Sequence, residues 1–453
     1  MKLVFVSICF LFLSAFGLAQ NRHNVALLAQ WQNSALTEAT DGSVYNDVWG
    51  FYFNGNKYAA IGSTEGTHII QVENNQLTEI AFVAGAAQGP NVINRDVFEY
   101  KGYVYAICDD GYSSLQVIDL HYLPDSAHVV FESDSFFQRA HSVFIDTSSA
   151  RMYICGPNSN INGSRAMDVF SLANPEQPLY LSSYPYAQYV HDCFVRNDTA
   201  WLNCGPEGLQ VVNYSNPLNP IVIGDLSTYT DMGYNHSGWL SDDGKYYVFT
   251  DETAGKKIKL CNVQNLNDIR IVSFFNSESD ANTIAHNPMI SGKYVYLSHY
   301  YDGLQIFDIS DPENVYRAGW YDTHLENSII YSGAWGVFHW KDDGKIMISD
   351  RQQGLMLFEF NPPVKGMEQQ SEHGVYPNPA DKNVWFWISN TRHFSYALTV
   401  FDLNGKQIYS SSFYESNNYF LDVSQWSEGV YYYRLTGIDR KVEMNGKMVI
   451  IHQ

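Results

Sequence analysis

The sequence is poor in positive charge. Its 27 lysine and arginine residues are outnumbered by 48 aspartate and glutamate residues, which gives a formal net charge of −21 at pH 7. Proteins that bind nucleic acid present a basic face to the phosphate backbone, and an anionic membrane surface attracts the same sign of charge. The composition therefore argues against nucleic acids and anionic membranes as partners.

Cysteine is also scarce, with six residues spread over a chain of 453. Cys9 lies in the apolar N-terminal segment described below, and the other five show neither the pairing of a disulfide framework nor the spacing of a zinc site. We expect these five to be small buried side chains, as free cysteine commonly is. They are Cys108, Cys155, Cys193, Cys204 and Cys261.

Common catalytic signatures are missing as well. The sequence contains no G-x-S-x-G elbow, no H-E-x-x-H motif, no P-loop and no Rossmann fingerprint. The segments DDGYSS and SDDGK lack the full ligand spacing of an EF-hand loop and fit ordinary turns better. These absences favour a non-catalytic role.

Long apolar runs are confined to the N-terminus. Lys2 precedes an apolar run that begins at Leu3, and small residues follow at Gly17 and Ala19. This order is typical of a secretory signal peptide cleaved after Ala19, so residues 1–19 are set apart from the fold. No later stretch is apolar for long enough to span a bilayer, which predicts a mature protein without a transmembrane segment.

What the sequence has in abundance is one repeated strand pattern. GLQIFDISDP at residues 303–312 follows an Asp-Gly turn and ends at Asp-Pro, because proline cannot donate to a sheet ladder. Seven versions of it occur: THIIQV (67–72), SLQVIDL (114–120), AMDVFSL (166–172), GLQVVNYSNP (208–217), KIKLCNV (257–263), GLQIFDISDP (303–312) and GLMLFEFNP (354–362).

Each version follows another strand, and six are followed by one more, with a repeat of 45 to 50 residues. Four short strands per repeat are typical of a propeller blade. The seventh repeat stops at Phe360 after its third strand, whereas VALLAQWQN (25–33) has no repeat of its own. We therefore predict an all-β, seven-bladed β-propeller over residues 24–360 that is closed by its N-terminal strand, which would leave no inner edge exposed.

The strand pattern of the sequence changes after the last repeat, which ends at Phe360. Residues 361–374 contain two prolines and no periodicity, so we expect a linker. Residues 375–453 read as short strands broken by Asn-Pro, Asn-Gly and Glu-Gly turns, which predicts a small antiparallel, immunoglobulin-like β-sandwich.

Residues 24–360 resemble the LVIVD-repeat propellers of the "choice-of-anchor B" surface proteins. The likeness lies in GLQIFDISDPENV and GLQVVNYSNPLNP and extends to YNDVWGF (45–51), YVHDCFV (189–195) and GAWGVF (333–338). THIIQVENNQ departs from the pattern because it lacks the Asp-Pro stop, and the third repeat has a longer insert, at residues 156–166. The resemblance implies a secreted, surface-attached protein.

Residues 375–453 resemble the C-terminal sorting domain of the type IX secretion system of Bacteroidota. The matching segments, in order, are VYPNPA, VFDLNGK, LDVSQWSEGVYYYRL and GKMVI. The resemblance implies passage into the periplasm on the signal peptide and export by the type IX machinery, which would act through residues 375–453. Removal of the domain, with release or attachment at the outer cell surface, would follow. The alternative is an ordinary immunoglobulin-like appendage.

One position in the repeats collects the candidate functional residues. It marks the start of each innermost strand, which lines the central channel of a propeller, and the turn after the second strand opens on the same face. We predict a ligand site around this channel mouth. Its residues are Trp49, Arg95, His141, His191, His236, His286 and Trp335 from the strand starts and Asp251, His299 and Asp350 from the turns, which also carry Asp109, Asp110, Glu252 and Asp302.

The histidines permit two interpretations. Imidazole is the commonest metal ligand, so His141, His191, His236 and His286 are the candidates for holding a divalent metal. Arg95 could instead clamp a carboxylate. The other interpretation is structural: each histidine bonds neighbouring backbone at its blade start, and internal duplication has copied that role.

Three functions remain compatible with the sequence. The leading one is a non-catalytic module at the cell surface that binds a ligand or a protein. The second is an extracellular metal-dependent hydrolase or lyase that uses the four histidines. The third is a structural or adhesive surface component.

Overall fold

The computed structural model describes residues 22–277, 279, 282–324, 331–362, 373–388, 395–414, 418–437 and 443–452. The predicted signal peptide, residues 1–19, lies outside them, as does most of the predicted linker, residues 361–374. The chain divides into two compact units, Met1–Pro362 and Pro363–Gln453.

The described part of the first unit is built from β-strands. In chain order they are β1 (Arg22–His23), β2 (Val25–Trp31), β3 (Tyr45–Phe53), β4 (Asn56–Ser63), β5 (Gly66–Glu73), β6 (Gln76–Ala84), β7 (Arg95–Tyr100), β8 (Tyr103–Cys108), β9 (Leu115–Asp119), β10 (His128–Ser133), β11 (Ser142–Asp146), β12 (Arg151–Cys155), β13 (Asn158–Ser159), β14 (Gly163–Ser164), β15 (Met167–Ser171), β16 (Leu179–Ser183), β17 (Asp192–Arg196), β18 (Thr199–Asn203), β19 (Leu209–Asn213), β20 (Ile221–Leu226), β21 (Asn235–Leu240), β22 (Tyr246–Asp251), β23 (Ile258–Asn262), β24 (Arg270–Phe275), β25 (Pro288–Ser291), β26 (Tyr294–Ser298), β27 (Leu304–Asp308), β28 (Tyr316–Tyr321), β29 (Ala334–His339), β30 (Lys345–Asp350) and β31 (Gly354–Phe360).

Within the described residues these strands form seven antiparallel blades of four strands and a two-stranded sheet, β13-β14. The short strand β1 adds a fifth strand to the sheet of β25–β28, at the edge next to β28. Blades one to seven are β3–β6, β7–β10, β11–β12 with β15–β16, β17–β20, β21–β24, β25–β28, and β29–β31 with β2. The first strands β3, β7, β11, β17, β21, β25 and β29 contact one another in that order, and β29 contacts β3. The predicted all-β propeller fold is confirmed.

The N-terminal strand β2 completes the last blade. It pairs antiparallel with β31, with Val25 opposite Phe360 and Trp31 opposite Leu355. Its two ends also pack into two different cores. Val25 lies in the core between blades six and seven, and Trp31 in the core between blades seven and one. One strand thus links the two ends of the ring by hydrogen bonds and by burial.

The repeated strand pattern is apolar on both sides because each blade packs against two neighbours. In β27, Leu304 and Ile306 face the core shared with blade seven, whereas Phe307 faces the core shared with blade five. Strands buried on both faces do not need to alternate with polar residues. The five described cysteines are all free and buried, as expected.

The second unit is also antiparallel. Its described strands are β32 (His373–Tyr376), β33 (Asn383–Ile388), β34 (Ser395–Phe401), β35 (Gln407–Tyr414), β36 (Asn418–Asp422), β37 (Gly429–Gly437) and β38 (Glu443–Ile450). They form a sheet β32-β33-β36 and a sheet β35-β34-β37-β38. The two sheets enclose one core that includes Phe386, Leu398 and Tyr433. This is the layout of a β-sandwich; the immunoglobulin-like connectivity stays a prediction.

In the ranges that the structure describes, no helical segment has the length and apolar character that a membrane crossing requires.

Candidate functional site

A β-bulge at the start of the inner strand positions the candidate residues. In blade three, His141 and Ser142 both lie opposite Cys155, since the His141 amide donates to the Cys155 carbonyl at 2.9 Å while Ser142 is the Cα partner. The register shifts at the same place in β21 and β29, which makes His236 and Trp335 the extra residues there. A bulge re-aims a side chain away from the regular pleat. The repeated histidine therefore occupies a special position of the fold.

The four predicted histidines lie side by side. The ring centroids are 4.0 Å apart between His141 and His191, 4.2 Å between His191 and His236, and 4.4 Å between His236 and His286. Trp335 continues the series, with its ring 4.2 Å from that of His286. We call the four imidazoles the histidine row. They line the axial channel of the propeller.

Arg95 lines the channel cavity, and its guanidinium hydrogen-bonds backbone. Its side chain is buried, with Nε donating to the Ser63 carbonyl at 3.1 Å and Nη2 donating to the Ala87 carbonyl at 2.8 Å. The guanidinium is thus occupied by backbone oxygens between blades. The structure gives no support to the carboxylate clamp expected at this residue.

Trp49 lies in a different layer of the channel. The bulge of β3 falls at Asn46 and Asp47, which places Trp49 further along the strand. Its ring stacks on Phe98 at 3.8 Å between centroids and contacts Phe338 at 5.2 Å. Trp49 is therefore part of an aromatic layer below the mouth and not of the mouth itself.

The three predicted turn residues are engaged elsewhere. Asp251 is buried and accepts a hydrogen bond from Lys259 Nζ at 2.7 Å. Asp350 accepts hydrogen bonds from the backbone amides of Gln352 and Gln353, at 3.0 and 2.9 Å. His299 is buried, with Nε2 2.7 Å from Oδ1 of Asn276. These contacts stabilise the blades and their turns.

Two other acidic residues from the same turns do reach the histidine row. Oδ2 of Asp109 lies 2.8 Å from Nδ1 of His141, and Oε2 of Glu252 lies 3.7 Å from Nε2 of His236. The second carboxylate oxygen of Glu252 accepts a hydrogen bond from the Tyr300 hydroxyl. Successive side chains of an extended chain point to opposite sides. Asp251 therefore faces Lys259, whereas its neighbour Glu252 faces His236.

Three of these groups have a geometry that could hold a metal. One ligand atom from each of His191, His236 and Glu252 lies within 4.8 Å of the others. His141 and His286 flank this trio in the row. The structure thus brings together two of the four predicted metal ligands with a carboxylate that the repeat pattern alone does not single out.

Burial controls the protonation of the row. It lowers the pKa of His191 and of His286 well below the ordinary value, with a further fall from neighbouring histidines, and it lowers the pKa of His236. Burial also acts on His141, but the hydrogen bond and charge of Asp109 raise the pKa of that imidazole above its ordinary value. Three of the four rings are therefore neutral at neutral pH.

An acidic layer lies directly after the row along the inner strands. It consists of Asp47, Asp96 and Asp192, which all line the channel. Burial raises the pKa of Asp47 to about 6 and that of Asp96 well above its usual range, and in both cases nearby carboxylates add to the rise. Asp192 accepts hydrogen bonds from the Ser142 and Ser237 hydroxyls at 3.0 and 2.6 Å.

Below the acidic layer, aromatic rings narrow the channel. Phe144 and Trp239 belong to blades two apart, yet their ring centroids are only 6.1 Å from each other. The cavity between the row and these rings has a volume of about 90 Å³. A water molecule takes about 30 Å³ of liquid, whereas pockets for organic ligands span roughly 300–1,000 Å³. The cavity is thus well below the size of common organic-ligand pockets and suits an ion with a few waters.

Comparisons with known proteins identify two segments of the chain. Residues 374–451 match the secretion system C-terminal sorting domain, and residues 284–323 match the LVIVD repeat. The chain therefore carries a type IX sorting domain and is exported to the cell surface or the extracellular space. A search of curated proteins finds no match.

Two solved structures that share the fold are a protein from Lactobacillus plantarum and U3-55K, and a third structure, PorZ, is similar with a TM-score below 0.5. A protein from Lactobacillus plantarum is 12% identical over 83% of this chain and 98% of its own, with a TM-score of 0.51. U3-55K is 8% identical over 74% of this chain and 98% of its own, with a TM-score of 0.53. PorZ, a surface component of the type IX secretion system of Porphyromonas gingivalis, is 11% identical over 93% of this chain, with a TM-score of 0.47, and this chain spans only 61% of its length. Identities this low show the fold alone.

Proposed function

We propose that the chain is a non-catalytic binding module, displayed on the cell surface or released from it, that captures its partner across the propeller face at which the histidine row lies. The observation that carries this proposal is the size of the channel. A volume of about 90 Å³ is small for an organic ligand, so a partner that uses this face would lie over the mouth and not inside the channel.

The rim of the mouth has the composition of a binding surface. Tyr189 and Tyr234 are half-buried, and their rings lie 6.1 and 5.3 Å from that of His191. Tyr331 is 48% exposed and packs against Tyr300 with centroids 5.4 Å apart. Tyrosine is enriched at interfaces because a rigid ring supplies contact area and its hydroxyl supplies a hydrogen bond.

The sorting domain agrees with this role, because export places the propeller where it can meet partners outside the cell. We infer that the chain crosses the periplasm and engages the type IX apparatus through residues 375–453. Deleting these residues should leave the protein in the periplasm of a native host, as cell fractionation would show. Continued appearance of the truncated chain at the surface would contradict this route.

The binding proposal is tested with the purified chain on arrays of surface glycans and on a panel of extracellular proteins. We expect at least one specific ligand, with affinity lost in the variant Tyr189→Ser/Tyr331→Ser. The matched control is Tyr316→Ser, which removes an exposed tyrosine from the outer strand β28. Binding that survives the rim substitutions and falls with the control would place the interface elsewhere and overturn the proposal.

A metal-dependent hydrolase or lyase is the second candidate, and the spacing of His191, His236 and Glu252 is what favours it. Such an enzyme needs an open metal position that activates water. Turnover of ester, phosphoester or glycoside substrates that disappears in Glu252→Gln would establish it. A chain that attaches to the surface and shows neither binding nor turnover would fit the structural or adhesive role.

A further inference from the structure

We propose that the channel mouth holds a divalent transition-metal ion on His191, His236 and Glu252. The inference goes beyond the binding function proposed above and does not depend on it. It rests on the spacing of the three groups, on the burial of the two histidines and on the charge around them.

The spacing is close to that of a metal centre. Nε2 of His236 and Oε2 of Glu252 are 3.7 Å apart, and the three ligand atoms lie within 4.8 Å of one another. Ligands about 2.1 Å from a tetrahedral zinc ion are roughly 3.4 Å from each other. Movements of about 1 Å, within the range of small side-chain rotations, would therefore complete the coordination.

Each ring of the histidine row has a partner on one side. His286 donates from Nδ1 to the Trp335 carbonyl at 2.6 Å, and His141 is anchored through Nδ1 to Asp109 at 2.8 Å. The backbone of the following blade also hydrogen-bonds the rings of His191 and His236. In His236 the nitrogen that approaches Glu252 is Nε2, which makes this atom the candidate ligand.

The two inner rings are almost fully buried, with His191 7% and His236 3% exposed. A histidine that binds a metal through one ring nitrogen commonly donates the other N–H to a backbone carbonyl or a carboxylate. The backbone contacts of these rings are therefore compatible with a metal on the nitrogens that face Glu252.

The surroundings favour a cation. Glu252 supplies a carboxylate, and the Tyr300 hydroxyl that donates to it would orient it as an outer-shell partner. The acidic layer of Asp47, Asp96 and Asp192 lines the same cavity. Negative groups around a narrow space raise the local concentration of cations.

The donor set also selects the class of metal. Two imidazoles and one carboxylate suit zinc, copper, nickel, cobalt or iron, whereas calcium and magnesium prefer oxygen ligands alone. Three protein ligands leave at least one coordination position open. The adjoining cavity of about 90 Å³ has room for the water molecules that would fill it.

The test uses the purified chain, stripped with a chelator and titrated with Zn²⁺ by calorimetry and with Co²⁺ by visible absorption. We expect one ion per chain and a weakening of about 100-fold or more in His191→Gln and in Glu252→Gln, since even outer-shell changes cost 10–100-fold. The cobalt spectrum reports the ligand set directly. His128→Gln, on the outer strand β10, is the matched control and should bind as the parent does.

Absence of stoichiometric binding, or equal affinity in the parent and in Glu252→Gln, would overturn the proposal. Should His191→Gln fail to fold, the isosteric Glu252→Gln still tests the proposal. It replaces one carboxylate oxygen by an amide nitrogen and removes the negative charge without changing the size of the side chain. The tyrosine variants that test partner binding leave all three ligands in place. Failure of the metal site and failure of the binding proposal are therefore distinguishable.

Discussion

Blades three to six and the remaining three blades present the same strand position to the channel with different side chains. The first group carries the histidine row, whose rings stack at 4.0 to 4.4 Å. The second group carries Trp335, Asn46 and Arg95. Asn46 donates to the Ile93 carbonyl at 2.8 Å, and Arg95 donates to two further carbonyls.

The difference shows that one position of the fold can serve two purposes. In blades one and two, Asn46 and Arg95 donate hydrogen bonds to backbone carbonyls and so join neighbouring blades. In blades four and five, the imidazoles of His191 and His236 approach the Glu252 carboxylate. We therefore expect substitutions at this position in blades seven, one and two to change the stability of the propeller. Substitutions of His191 and His236 should change ligand binding.

Opening the ring should lower the free energy of unfolding more than any other change. The ring closes in blade seven, where β2 pairs with β31, and this blade carries Trp335 instead of a histidine at the channel. Deletion of residues 22–31 removes the pairing of β2 with β31 and the burial of Val25 and Trp31. We expect a loss of about 5 kcal/mol or more, comparable to the whole stability of many domains. Thermal unfolding followed by circular dichroism measures it. Removal of Arg22 and His23 alone is the control, and an unchanged melting temperature in the longer deletion would refute closure by β2.

Arg95→Met should have the next largest effect. The substitution leaves the carbonyls of Ser63 and Ala87 without their donors and removes a buried side chain, which costs about 3 kcal/mol. The exposed Arg270, paired with Asp268 on an outer strand, provides the control Arg270→Met. Chemical denaturation of both variants compares them. Equal stability losses would mean that Arg95 is not a structural tie between blades.

Asp47→Asn should stabilise the propeller at neutral pH. Burial raises the pKa of Asp47 to about 6, so above that pH the folded state must hold a charge that the unfolded state carries at no cost. Stability is therefore lost as the pH rises from about 4 to about 6, and the amide removes this loss. We expect a gain of about 1–2 kcal/mol at pH 7.5.

Melting temperatures between pH 3.5 and 8 test this sign. The carboxyl of the unfolded chain titrates at about pH 4, so the curves of the parent and Asp47→Asn should separate between about pH 4 and 6 and run parallel above that range. Asp192→Asn is the control, because Asp192 accepts two serine hydroxyls and should lose stability instead. Curves that stay parallel between about pH 4 and 6 would show that burial of Asp47 costs no stability.

The smallest effects should separate the members of the histidine row by their pH dependence. His191 and His286 have folded pKa values well below the ordinary one, so the unfolded state takes up protons first and stability is lost as the pH falls below about 6.5. His141 has a raised pKa, so its contribution is fully present below about pH 6.5 and is lost as the pH rises through its folded pKa.

His286→Gln should consequently flatten the acid side of the stability profile, and His141→Gln should steepen it, each by about 1 kcal/mol or less. Urea unfolding at pH 5.5, 6.5 and 7.5 measures both slopes. If the two variants changed the slope in the same sense, the carboxylate of Asp109 beside His141 would not be what distinguishes the two rings.

The blades were predictable because local chemistry marks every strand. The Asp-Pro after Phe307 stops a strand by removing a donor, and the absent fourth strand after Phe360 leaves a gap that only residues 25–33 can fill. The histidine row followed from the same repeat. These inferences needed only spacing and the apolar pattern.

The remainder of the site depends on features that spacing does not record. A bulge sets two residues opposite one, so counting from the repeat places Trp49 at the mouth although Asn46 and Asp47 occupy the bulge. The choice between Asp251 and Glu252 depends on which side of the strand each faces. Arg95 shares its position with the histidines but is long enough to reach the carbonyl oxygens of the preceding blade.

The pairing of Val25 with Phe360 also has a consequence for how the molecule is made. During synthesis β2 emerges first and has no partner until the last blade exists, so the growing chain is an open row of sheets with two free edges. Contacts this distant in sequence make folding slow, since the entropy of closing the loop is lost before the contacts are gained. We therefore expect the ring to close late in folding, and loss of the β2–β31 pairing to destabilise all seven blades together.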